Sequence, residues 1–290
     1  MATKQAPARR KPVYKEVDER ETRRVRSRVR ASRTKRGQRL ERRYAVVYDI
    51  EGPRVRLGMV WFLVAAAALV VGPLPAAIVY GGAAALAAAQ MARVWRRGKQ
   101  RPNQLVAAGM AGGMVLGACL GSGGGGLGIL VGTGFAVAAA VSDTRSSYAV
   151  VTDAGWTIQC ALPVGLAAMS MVLLARLDQG SAIALLLLVS AYETGDYIVG
   201  SGARNPYEGP VAGIAAVTVI TFIVSTLSIS AFDFSQAWLF GGLVAILAPL
   251  GQLLASALLP AAGAPASALR RLDSLLLAAP IWCIGVGFAV

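Results

Sequence analysis

Four carboxylates and three guanidinium groups in the C-terminal third of this 290-residue chain are candidates for chemistry. Glu193 and Asp196 sit in Tyr192-Glu193-Thr194-Gly195-Asp196-Tyr197, three positions apart and so on one face of a helix. The segment Gly200-Ser201-Gly202-Ala203-Arg204-Asn205-Pro206-Tyr207-Glu208-Gly209 adds Arg204 and Glu208. The segment Ala268-Leu269-Arg270-Arg271-Leu272-Asp273-Ser274-Leu275 adds Arg270, Arg271 and Asp273. Carboxylates inside or beside an apolar span are costly and usually have partners or a function. Two or three of them at a membrane face could hold Mg²⁺ with a nucleotide phosphate, and Arg270 and Arg271 could bind phosphates. A plainer alternative stays open: Glu193 and Asp196 at a water interface near Arg204, with Arg270 and Arg271 as basic anchors of a membrane span. The chain has no histidine, which excludes Ser-His-Asp triads, His-ligated metals and His proton relays. Cys119, Cys160 and Cys283 lie in apolar runs without metal-ligand spacing, and read as small core residues with no disulfide.

These residues are set in a chain of two unlike parts. Residues 1–56 hold 19 of the 29 Lys and Arg and seven of the 15 Asp and Glu, a net +12 of the total +14. The remaining residues, 57–290, carry 10 basic and eight acidic side chains, too few for a water-soluble surface. The expected fold is all-α: a polytopic integral membrane bundle of about nine transmembrane helices, preceded by a disordered or solvated-helical basic tail. The spans are expected near 57–73, 75–95, 104–121, 126–142, 156–176, 181–200, 210–230, 237–259 and 273–290. Glu51-Gly52-Pro53 reads as a turn into the membrane. No cleavable signal is visible, because a long charged segment precedes the first apolar run.

With the tail inside and nine crossings, 28 of the 29 basic residues fall on the inner side and only Arg176 outside. The positive-inside rule expects such an asymmetry. It places the tail and the basic loop of residues 93–101 in the cytosol, and Val290 on the opposite side of the plasma (cytoplasmic) membrane. The tail is expected to bind anionic headgroups at about 1 kcal/mol per well-placed basic residue; any nucleic acid would be bound without specificity. Gly109, Gly113, Gly117 and Gly121, then Gly124, Gly128 and Gly132, recur every fourth residue. That spacing strips one helix face of side chains and lets backbones approach. A phosphate cradle at residues 121–126 is the alternative, but no Lys-Ser/Thr follows.

The closing segments also resemble the phosphatidate cytidylyltransferase (CDP-diacylglycerol synthase) family. Glu193-Thr194-Gly195-Asp196-Tyr197 resembles the family's Asp-Thr-Gly-Ala-Tyr. Asn205-Pro206-Tyr207-Glu208-Gly209 resembles a shortened Ser-Pro-Lys-Lys-Thr-x-Glu-Gly. Gly251 to Ser256 resembles Gly-Asp-Leu-x-Glu-Ser. Arg270-Arg271-Leu272-Asp273-Ser274-Leu275 resembles the end of His-Gly-Gly-x-x-Asp-Arg-x-Asp-Ser-Leu. The order agrees across residues 185–290. The departures are specific: Gln252 stands where the family has an acid, Ala255 where it has Glu, and Arg270 where it has the first closing Asp. The loop lysines and the His-Gly-Gly are absent, and Ala257-Leu258-Leu259-Pro260 replaces a Lys-Arg pair.

The resemblance implies a membrane-bound enzyme that joins CTP to phosphatidic acid with Mg²⁺ and releases pyrophosphate. Glu193, Asp196, Glu208 and Asp273 would hold the metal, and Arg204, Arg270 and Arg271 the phosphates. A homodimer is compatible with it. The alternative is a catalytically silent relative that binds anionic lipid or a protein partner, which the Gln252 and Ala255 changes favour. A secondary transporter is a third option, on span count alone.

Overall fold

The computed structural model describes residues 52–98, 100–143, 147–203, 205, 207–227, 234–261 and 263–289. The chain divides into two units, Met1–Arg43 and Tyr44–Val290. The first, and with it most of the basic tail, lies outside the described residues. So do Arg145, Arg204 and Val290, on which part of the expected orientation rests.

The described part of the second unit is helical throughout. Its helices are α1 (Gly52–Val71), α2 (Pro73–Trp95), α3 (Gln104–Gly117), α4 (Ser122–Asp143), α5 (Ser147–Leu177), α6 (Gln179–Gly200), α7 (Glu208–Leu227), α8 (Phe234–Ala257) and α9 (Leu275–Ala289). Short 3₁₀ turns occupy Ala118–Leu120 and Leu269–Arg271. Six of the helices, α2 and α4 to α8, are long and apolar enough to cross a bilayer. The apolar parts of α1, α3 and α9 are shorter: Gly58–Val71, Gln104–Leu120 and Leu275–Phe288. The chain is therefore a polytopic membrane protein. Its outward faces carry large exposed apolar groups such as Leu127, Leu130, Phe135, Val219 and Phe222, which lipid solvates without penalty.

Small residues make the interior. Ala76, Ala77, Ala84, Ala87 and Ala88 of α2 are fully buried, where α2 packs on α3 and α5. Bilayer helices gain from such close approach because lipid tails leave little hydrophobic drive between them. Two sets of polar contacts mark the ends of the bundle. At one end, the Gln179 amide donates to the carbonyls of Leu69 and Val70, both at 2.7 Å, and Arg176 donates to the Cys119 carbonyl. At the other, the Trp95 indole donates to the Leu258 carbonyl at 2.9 Å, Trp95 stacks on Trp156, and the Asn103 backbone N–H donates to Thr157 Oγ1 at 2.9 Å.

Several expected boundaries shift. Residues 52–53 begin α1 rather than forming a free turn, because proline is tolerated in a helix's first turn, where its missing N–H has no partner to lose. The break between α3 and α4 falls at Gly121, in the left-handed region at φ +99°, and not along residues 123–126, which are helical. The glycine face is also smaller than the spacing suggests. A Cβ on Gly117 or Gly124 would strike the other's backbone, and one on Gly128 would lie 2.8 Å from the Met114 Cα, but Gly109 and Gly113 face open space. Helix α5 starts at Ser147, ahead of the expected 156, because its polar first turns extend the apolar span. Helix α9 starts at Leu275, just after Asp273.

Candidate functional site

The C-terminal turns of α6 carry Tyr192, Glu193 and Asp196. Glycines bring the neighbouring backbones against them. A Cβ on Gly195 would lie 2.7 Å from the Ala212 carbonyl oxygen, and one on Gly213 would lie 2.7 Å from the Tyr192 ring. Helices α6 and α7 thus meet backbone to backbone. A Cβ on Gly251 of α8 would run into the Asp273 carbonyl. Glycine there lets the start of α9 sit against the turn of α8 that carries Gln252.

Two hydrogen bonds link α6 to α8. The Tyr192 hydroxyl donates to Gln252 Oε1 at 3.3 Å, and Gln252 Nε2 donates to Asp196 Oδ2 at 3.3 Å. All three side chains are buried. At the foot of α9, the Ser274 N–H donates to Asp273 Oδ1 at 2.8 Å. The Arg270 guanidinium stands 3.6 Å from Asp273 Oδ2 and donates to Ser256 Oγ at 3.2 Å. Burial pushes the Asp273 carboxyl up to about 6, against the pull of Arg270 and the Ser274 donors. Glu193 is half-buried. It shares a hydrogen bond with the Ser274 side chain, and its neighbouring charges are Asp273, Arg271 and Asp196. The arm of Arg271 reaches α1, where a Cβ on Gly58 would lie 2.7 Å from its Nη1.

Helix α2 holds the closing segment in place. Gln90 Oε1 accepts from the Ala268 N–H at 2.9 Å, and Gln90 Nε2 donates to Ser267 Oγ at 3.4 Å. Together with the Trp95–Leu258 bond, this fixes the chain on both sides of the turn that presents Arg270 and Arg271.

The structure thus gathers Glu193, Asp196, Gln252, Arg270, Arg271 and Asp273 at one end of the bundle. Glu208 is exposed in the first turn of α7, and Arg204 lies outside the described residues. Ala255 is fully buried, and its neighbour Ser256 receives Arg270. Sequence reasoning did not find the parts played by Tyr192, Ser274, Gln90 and Trp95. Gln90 left one signal, a lone amide in an alanine-rich span, which is costly without a partner.

As they stand, these carboxylates do not fit a Mg²⁺ ion. Asp196 accepts from an amide, Asp273 faces a guanidinium and a backbone N–H, and Glu193 is bonded to a hydroxyl. Each of them already accepts from, or faces, a donor of the protein's own. Among the described residues, no group of three Asp, Glu or Cys side chains could hold a metal.

No curated protein matches the chain. The profile of the cytidylyltransferase family matches residues 53–263, well over half of it. The match reaches back to α1 and α2, far upstream of the motifs, and stops before Arg270, Arg271 and Asp273. Those three join the site through the contacts of Gly251 and Glu193 with the foot of α9. The eight packed helices α1 to α8 under the matched segment and a polar cluster built on its α6 and α8 agree with that profile: the chain belongs to the cytidylyltransferase family.

Proposed function

We propose that the protein is a membrane-embedded relative of the phosphatidate cytidylyltransferases that binds anionic phospholipid and transfers CMP from CTP slowly or not at all. One observation carries this reading: the Gln252 amide donates to Asp196. The resemblance puts an acid at position 252. Two acids at 3.3 Å would call for a cation between them, whereas an amide satisfies Asp196 by itself. Arg270 stands in for another expected acid and neutralises Asp273 in the same way. CTP and a lipid phosphate are both anions. Joining them needs positive charge on the reacting phosphates and on the departing pyrophosphate. Here Gln252 and Arg270 each face one of the protein's own carboxylates.

The charge division of the sequence supports a cytosolic site at the plasma membrane, with the basic tail on the same side, bound to anionic headgroups. The test is to incubate purified full-length protein with labelled CTP, Mg²⁺ and phosphatidic acid. Product at the no-protein background is expected, and robust formation of CDP-diacylglycerol would overturn the silent reading. A second reading, true turnover with Mg²⁺, is favoured by the nearness of Glu193 to Asp273, two acids that the family pattern also has. The same assay decides between them.

A further inference from the structure

Helix α1 is pinned at both ends to layers of polar contacts. At the functional end Arg271, a neighbouring charge of Glu193, lies against Gly58. At the opposite end the Gln179 amide holds the carbonyls of Leu69 and Val70, and the exposed Arg176 donates to the Cys119 carbonyl. The chain turns there at Gly72 and Gly121, both at positive φ. Eleven residues separate Gly58 from Leu69 on α1, and fourteen separate Gln179 from Glu193 on α6. At about 1.5 Å per residue these are about 17 and 21 Å. The apolar part of α9, Leu275–Phe288, starts at the same polar cluster and is also about 21 Å long. A typical hydrocarbon core is about 30 Å thick. Lipid meets α1 directly, because Met59, Val60, Leu63, Val64, Val70 and Val71 are exposed and follow one helix face along its apolar part. From Met59 to Val71 that face is about 18 Å long. A long helix fits a thin bilayer by tilting, but a short one cannot fit a thick one. Helices α2 and α4, of 23 and 22 residues, can tilt, so α1 sets the match.

We propose that the bilayer is thinned where it meets α1, to a hydrocarbon thickness of about 20 Å, and that this face selects phospholipids with short acyl chains. The inference rests on lengths and not on charge, so it is independent of the headgroup reading above. It also bears on the polar cluster. With Gln179 at one surface of a full-thickness core, Glu193 would lie about 9 Å short of the other, at a depth where charges are costly. With the surface drawn in beside α1, Glu193 and Arg271 meet headgroups and water instead.

Spin labels on the full-length protein, reconstituted in 18-carbon phosphatidylcholine, test this without any net headgroup charge. Met59→Cys, Val64→Cys and Val71→Cys place a label along the exposed face of α1, and Val219→Cys places one at the exposed middle of α7. Each is made in a Cys119→Ser background, because Cys160 and Cys283 are buried. Collision rates with oxygen and with a water-soluble nickel chelate measure the depth of each label. Labels at positions 59 and 71 are expected at the level of the headgroups, the label at 64 at a depth of about 10 Å, and the label at 219 at about 15 Å. Equal depths at 64 and 219 would overturn the proposal. A second measurement needs no variant. Quenching of the wild-type tryptophans, among them Trp61 on α1, by brominated phosphatidylcholines compares the affinity for chains of different length. A preference of about threefold or more for 14-carbon over 22-carbon chains is expected. Equal affinity, or a preference for the longer chains, would overturn the proposal whether or not the labelled variants fold.

Discussion

Gln252 serves two buried partners at once, accepting from Tyr192 and donating to Asp196. Replacing it with a carboxylate leaves an acceptor for Tyr192 but removes the donor to Asp196. In Gln252→Asp, two carboxylates would face each other in a buried site. The variant should lose about 1–3 kcal/mol without divalent ions. Millimolar Mg²⁺ or Mn²⁺ should restore its melting temperature while leaving wild type unmoved. A melting curve with and without metal checks this, and a variant indifferent to metal would mark the cluster as purely structural. The acids themselves were legible in the sequence, because Glu193, Asp196 and Asp273 are rare charges in an apolar field. The amide's role was not: a lone Gln looks the same whether it replaces a ligand or replaces the need for one. Glu208 is exposed in the first turn of α7, and its place in a motif carried no information on which way that turn would face.

At the scale of elements, glycines set how closely α6, α7, α8 and α9 approach. Gly251→Ala would push a methyl into the Asp273 carbonyl, a backbone atom that cannot swing aside. It should cost about 1–3 kcal/mol, while Gly242→Ala on the same helix should be neutral or slightly stabilising. Paired thermal denaturation in detergent measures the difference, and equal midpoints would refute the packing argument. The helices were readable from the length of their apolar runs, and most of the expected spans fall on one helix each. Their ends were less readable. Residues 123–126 look like a loop, yet they continue α4 because Gly124 must lie against Gly117. Sequence spacing counted Gly109 and Gly113 into the packed face as well, but it carries no information on which neighbour, if any, covers a face.

At the scale of the molecule, the functional end of the bundle collects the start of α1, the end of α2, the start of α5, the end of α6, the end of α8 and the start of α9. That alternation is what successive crossings produce. Reporter fusions at Gln100 and at Val290 should therefore lie on opposite sides of the membrane, and the same side for both would rule out an odd number of crossings. The tail has its own test. A peptide of residues 1–56, with net charge +12, should bind vesicles rich in anionic lipid at low ionic strength and release them as salt rises. Indifference to such vesicles in sedimentation would remove the headgroup role.

The dependence of the polar cluster on the foot of α9 also sets an order of events. A ribosome delivers Glu193 and Asp196 with α6, well before Arg270, Arg271 and Ser274 emerge. During that interval two acids sit near the end of a membrane helix with their last partners not yet made. Gln252 arrives first and answers Asp196, and the closing segment follows and answers Glu193. Assembly of this end is thus sequential by construction, and the helix synthesised late completes what the middle of the chain began.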